Sequence, residues 1–222
     1  MKDIRCRTAL FVYVAASVLS VAFAQNSESP PDRPSGEEIL KRIEKALAGV
    51  ETVKTGFVQK KKLAVFDRTM TIRGEMAVAN PGRMAWRVHE PVKYTMVIEG
   101  ARLVQWDEDT DKVQTLHLDK DPAFQAVFEQ LTVWFSGRYG ALTENYNLRV
   151  AQTDPYILLF TPKAGTMFEK MIESVRVVFR KDARYIKQLT IEEGSADRTV
   201  IRFHNTRLNV PLDEDTWEVR SR

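Results

Sequence analysis

Apolar side chains recur at helical spacing near the start of this chain and then at every second position through most of the rest. Ile39, Leu40, Ile43, Ala46, Leu47 and Val50 follow Ser35-Gly36-Glu37-Glu38, where a Ser with Glu three residues on makes a capping box. This predicts an amphipathic helix whose apolar face covers one side of a sheet. From Val53 onward the period falls to two. Met70, Ile72, Met76 and Val78 form one alternating set, Met84, Trp86 and Val88 a second, and Tyr94, Met96 and Ile98 a third. Val104 and Trp106, the acidic turn Asp107-Glu108-Asp109-Thr110-Asp111, and then Val113, Leu116 and Leu118 read as a hairpin.

The alternation breaks once. Asp121-Pro122 supplies an N-cap and a first-turn proline, and Phe124, Val127, Phe128, Leu131, Trp134 and Phe135 follow on one helical face until the glycines at 137 and 140. Strands resume at 148–151, 156–161, 172–180, 185–192, 199–205 and 217–219. About ten strands with one leading and one interposed helix predict a mainly β (α+β) fold, a strongly curved antiparallel sheet with helices on its concave side. On pattern alone a lipocalin-like or clam-shaped β protein fits as well.

The first 24 residues carry Lys2, Arg5 and Arg7, an apolar stretch over 9–23, and a small-x-small site at Ala22-Phe23-Ala24, which predicts a signal peptide cleaved after Ala24 and export to the periplasm. Residues 25–34 are polar and proline-rich and predict a flexible leader, so 35–222 is expected to be a single domain. The lone cysteine, Cys6, lies in the signal segment. The processed chain is therefore expected to have no disulfide, no thiolate chemistry and no site for lipid attachment. It would keep 30 basic and 29 acidic residues, interspersed, which is not the electrostatic footprint of a nucleic-acid binder. Lys60-Lys61-Lys62 is the densest basic run, a solvated strand end or a docking point for an acidic partner.

Catalytic signals are missing. Asp107, Asp109 and Asp111 match the first ligands of an EF-hand, but Lys112 stands where Gly is needed and Leu118 where a bidentate Glu is needed. His89, His117 and His204 fall in no metal-ligand spacing, and there is no nucleophile elbow, P-loop or Rossmann fingerprint. Neither an enzyme nor a cofactor or metal is expected. What stands out is a surplus of large, deformable apolar side chains, Met70, Met76, Met84, Met96, Phe124, Phe128, Trp86 and Trp134, which suit either a packed core or a cavity for flexible hydrophobic ligands.

The succession Phe57-Val58-Gln59-Lys60, Arg73-Gly74-Glu75, Asn80-Pro81-Gly82-Arg83-Met84-Ala85-Trp86, His89-Glu90-Pro91 and Ile98-Glu99-Gly100 resembles the LolA-type periplasmic carriers of outer-membrane lipoproteins. The resemblance implies a half-open barrel with a helical lid, and tips the methionine-rich face from core toward cavity. It implies a hydrophobic cavity drawn from Met84, Trp86, Met96, Ile98, Trp106 and Phe160, and a lid carrying Phe124, Val127, Phe128, Leu131, Trp134 and Phe135. It further implies acylated lipoproteins or another lipid as cargo, an inner-membrane ABC transporter complex as donor, an outer-membrane receptor lipoprotein as acceptor, and a monomer. The family typically has Arg before the Pro of the second strand turn, holding the lid closed. Asn80 stands there instead, which makes Arg83 the candidate replacement latch. A specialised carrier for a glycolipid or polyene-type lipid, or a periplasmic sensor or scaffold of the same fold, remains the alternative.

Overall fold

The structure is a computed structural model that describes residues 34–120, 133–134 and 137–220. Residues from Pro34 onward form one compact unit with a hydrophobic core of its own, the condition for folding alone. The signal-peptide and leader expectations lie outside the described residues.

The capping box forms as expected: Glu38 N–H donates to Ser35 Oγ (3.2 Å) and Ser35 N–H to Glu38 Oε2 (2.8 Å), starting helix α1, Gly36–Leu47. Eleven strands follow: β1 Thr52–Leu63, β2 Arg68–Ala79, β3 Arg83–Glu90, β4 Tyr94–Glu99, β5 Arg102–Asp107 and β6 Val113–His117, then β7 Tyr146–Thr153, β8 Tyr156–Pro162, β9 Ile172–Phe179, β10 Ile186–Glu193 and β11 Arg198–Leu208. They make a single antiparallel sheet in the order β6-β5-β4-β3-β2-β1-β11-β10-β9-β8-β7. Two meanders thus join through the β1–β11 pair. The curved sheet stays open, because β6 and β7 are its two edges. This is the expected mainly β architecture, with one strand more than the pattern predicted.

Register fixes which side chains share a face. Phe203, Phe57, Gly74, Val88 and Tyr94 lie in one row across β11, β1, β2, β3 and β4. Met76, Trp86 and Met96 form the next row, and Val78, Met84, Ile98 and Leu103 a third. On the other half Phe160 and Val175, with Leu158, Val177, Leu189 and Ile201, continue the same face. This is the inner face, on which Ile39, Leu40 and Ile43 of α1 are buried.

The outer face carries a second, smaller apolar patch, in which Ala77, Ala85 and Val97 receive Leu212, Trp217 and Val219. Residues 217–219, expected as a strand, instead leave a 3₁₀ turn at Glu214–Trp217 and lie over this patch. Small residues on the outer face make the shallow seat, and the Arg87 guanidinium donates to the carbonyls of Asp215 (2.8 Å), Thr216 (3.1 Å) and Glu218 (2.6 Å). With these carbonyls held by a side chain, the segment needs no strand partner.

Candidate hydrophobic-ligand site

Most of the predicted cavity residues converge. Met84, Ile98 and Phe160 are buried, and Trp86 and Met96 are half-buried against the same core. Trp86 stacks on Phe57 with ring centroids 3.9 Å apart. Gly74 permits this approach: a Cβ there would lie 2.7 Å from Phe57 Cζ and would overlap the Arg87 carbonyl oxygen.

Trp106 does not join them. It pairs with Thr95 and Val113 on the outer face, and its indole N–H donates to Asp111 Oδ1 at 2.9 Å. Leu103 and Gln105 occupy the inner positions of β5, and the inner face turns polar there: Tyr94 donates to Gln105 (3.1 Å) and Gln105 to Gln114 (3.0 Å). The apolar lining therefore ends at β4 and the first half of β5.

Arg83 also lies on the outer face. Its Nε is 2.9 Å from Glu99 Oε1, an ionic contact without hydrogen-bond alignment, and its guanidinium sits 4.3 Å over the Trp217 ring. The arginine expected as a latch is thus taken up by Glu99 and the C-terminal segment on the side away from the core. Asn80 is the inner-side residue at that turn. It donates from Nδ2 to the Val50 carbonyl (3.0 Å) and from its backbone N–H to Glu51 (2.8 Å), tying the β2–β3 turn to the segment after α1.

Of the expected lid, Phe124, Val127, Phe128, Leu131 and Phe135 lie outside the described residues. Trp134 is described and helical, and it is buried in the mouth of the sheet. Its ring meets Phe160 edge-on at 5.0 Å, Tyr146 at 6.3 Å and Tyr139 at 6.4 Å. Tyr139, in a 3₁₀ turn at Tyr139–Glu144, donates its buried hydroxyl to the Trp134 carbonyl at 2.9 Å. Burial drives the Tyr139 hydroxyl far above the ordinary tyrosine value and pushes Tyr146 up to about 12, so both stay protonated and Tyr139 keeps its donor. Sequence reasoning missed Tyr139, Tyr146 and Leu142, all buried here, because no strand or helix period runs through residues 137–146.

Between Trp134 and the sheet, Met76, Val78, Phe203 and Ile186 enclose a crevice of about 30 Å³, room for one or two waters. Leu47, Val50 and Asn80 line both this crevice and an open vestibule of about 570 Å³ bounded by the β2–β3 turn and Gly137. The arrangement is an apolar inner face, closed by an aromatic side chain beside an opening to solvent. Among the described residues, no group of three or more His, Cys, Asp and Glu side chains is placed to hold a metal ion.

A half-open sheet with such a face has the form of a site for a hydrophobic ligand. The family model described as outer membrane lipoprotein carrier protein LolA matches residues 48–220, and the chain belongs to that family, one of carriers and not of enzymes. Among relatives, it is 27% identical over 155 residues to an outer-membrane lipoprotein carrier protein of Chromohalobacter salexigens, covering 68% of this chain and 69% of the other. It is 24% identical over 185 residues to that of Pseudomonas entomophila, covering 82% and 85%. A solved LolA superfamily protein from Nitrosomonas europaea aligns over 84% of this chain and 98% of its own at 10% identity, with a TM-score of 0.45.

Proposed function

We propose that the protein is a periplasmic carrier that takes the acyl chains of lipoproteins onto its inner face and ferries them from the inner to the outer membrane. Family membership and the names of its relatives support lipoprotein cargo. The observation that carries the reading is the closed state of the inner face, where Trp134 stands over a crevice far too small for an acyl chain.

Magnitudes favour displacement. Fully exposing a buried aromatic side chain the size of Trp costs about 4–6 kcal/mol, whereas one 16-carbon chain gains on the order of 12 kcal/mol at about 0.8 kcal/mol per CH₂. Cargo therefore outcompetes Trp134 even after the loss of the Tyr139 hydrogen bond, worth about 0.5–1.5 kcal/mol. In this reading Tyr139 holds the closed position of Trp134, while an inner-membrane ABC transporter complex delivers cargo and an outer-membrane receptor lipoprotein removes it. The cavity residues are Phe57, Met76, Met84, Trp86, Met96, Ile98 and Phe160, with Trp134 as the closing group.

The test is capture of the protein from the periplasm, followed by N-terminal sequencing and intact-mass analysis under gentle conditions. A chain beginning near Gln25 that carries an acylated lipoprotein is the expected result. A glycolipid or polyene lipid in its place redirects the cargo to the specialised-carrier reading, and an empty chain held in washed membranes with Met1 intact contradicts the proposal.

A further inference from the structure

The β1–β2 hairpin ends in two of the most exposed apolar side chains among the described residues, Val65 (84% exposed) and Phe66 (69% exposed). They sit on a 3₁₀ turn, Ala64–Phe66, at the tip. The β2–β3 pairing stops at Arg73 and Glu90, so residues 68–72 run on with only β1 beside them, about 16 Å past the end of β3, while β1 itself stays paired with β11 as far as Lys62 and Arg198. Water-exposed aromatic and β-branched side chains at the tip of a projecting hairpin contribute nothing to the core.

Four cations lie near them, Lys60, Lys61, Lys62 and Arg68, against one acid within residues 60–72, Asp67, which lies 3.5 Å from Lys62 with both side chains exposed. From the neighbouring β10–β11 turn, Glu193 and Asp197 engage Lys61 at 3.0 and 4.0 Å, and Arg198 is paired with Glu192. Lys60 and Arg68 are exposed and have no acidic partner among the described residues. The register also places Met70 and Ile72 on the inner face in line with Phe57. Apolar positions thus lead from the core to the tip.

We propose that this hairpin tip is a membrane-contact site, inserting Val65 and Phe66 into the headgroup boundary of an anionic phospholipid bilayer while Lys60, Lys62 and Arg68 pair with lipid phosphates. A projecting two-residue apolar tip with a basic collar matches the interfacial pattern, in which long cationic side chains lay their stems along the apolar boundary and keep their charge at the phosphates. It is too small to build the buried core of a protein interface. The contact does not depend on which cargo the inner face takes. So small an anchor gives brief, reversible attachment, which suits a protein that must leave the surface again.

The test uses the unit from Pro34 onward, which removes the apolar stretch at 9–23, with vesicles of phosphatidylglycerol and phosphatidylethanolamine and, separately, of phosphatidylcholine alone. Partitioning onto the anionic vesicles is expected to weaken at least tenfold in Val65→Ser/Phe66→Ser and in Lys60→Glu/Arg68→Glu, and to fall with added salt in the parent. Unchanged thermal melting of both variants shows that the fold is intact. No partitioning of the parent onto anionic vesicles, or partitioning that neither variant changes, overturns the proposal and leaves the tip to a protein partner.

Discussion

Trp134→Ala is expected to raise the affinity for an acyl probe by at least tenfold while lowering global stability less than Phe160→Ala does. The indole competes with cargo for the inner face, and removing a competitor that costs even about 1.5–3 kcal/mol to displace corresponds to roughly a 10- to 150-fold gain in affinity. Phe160 is fixed on β8, beside the edge strand β7, and is fully buried, so its truncation is expected to cost about 3–5 kcal/mol. Trp134 meets Phe160 edge-on, yet a group that must move aside for cargo belongs to the part of the structure that opens below the global unfolding free energy. Probe titrations and thermal melts on the two variants separate the cases. Equal destabilisation with unchanged probe affinity makes Trp134 an ordinary core residue.

Gly74→Ala is expected to destabilise the protein by about 3 kcal/mol, at the upper end of overpacking costs, and to lower the melting temperature by roughly 6–12 °C. Its new methyl has nowhere to go. One neighbour is the β3 backbone at the Arg87 carbonyl, and the other is the Phe57 ring, which is fully buried and held against Trp86. Neither yields cheaply, since moving the first breaks the β2–β3 register and moving the second empties the centre of the inner face. If melting is unchanged, the close approach of Phe57 and Trp86 over Gly74 is not what organises this face.

Features set by local sequence were legible in advance. Ser35 and Glu38 lie three residues apart, and both hydrogen bonds of their capping box form between them. The alternation through Met84, Trp86, Met96 and Ile98 gave the inner face correctly, because each strand there has one apolar and one mixed side. On β5 both sides are partly apolar: Leu103 and Val104 are adjacent, Trp106 is large, and only pairing with β4 decides that Leu103 points inward. The alternation of Met84, Trp86 and Val88 already puts Arg83 on the opposite face; what no local pattern shows is that Glu99 and Trp217 meet it there. Trp217 looked like a strand residue because its seat is built from Ala77, Ala85 and Val97, three residues far apart in sequence whose smallness matters only once β2, β3 and β4 lie side by side. Tyr139 was invisible for a related reason: its role depends on one hydrogen bond to a carbonyl five residues earlier, inside a non-repeating segment.

Photolabelling with a diazirine-bearing palmitoyl chain, followed by peptide mapping of the adducts, tests acyl binding on the inner face most directly. Adducts are expected on Phe57, Met76, Met84, Trp86 and Trp134, and to be competed away by unlabelled acyl cargo. Trp106 and Trp217 serve as internal controls, being indoles on the opposite side of the same sheet. Labelling concentrated on those two, or an inner face that takes no label, contradicts the account.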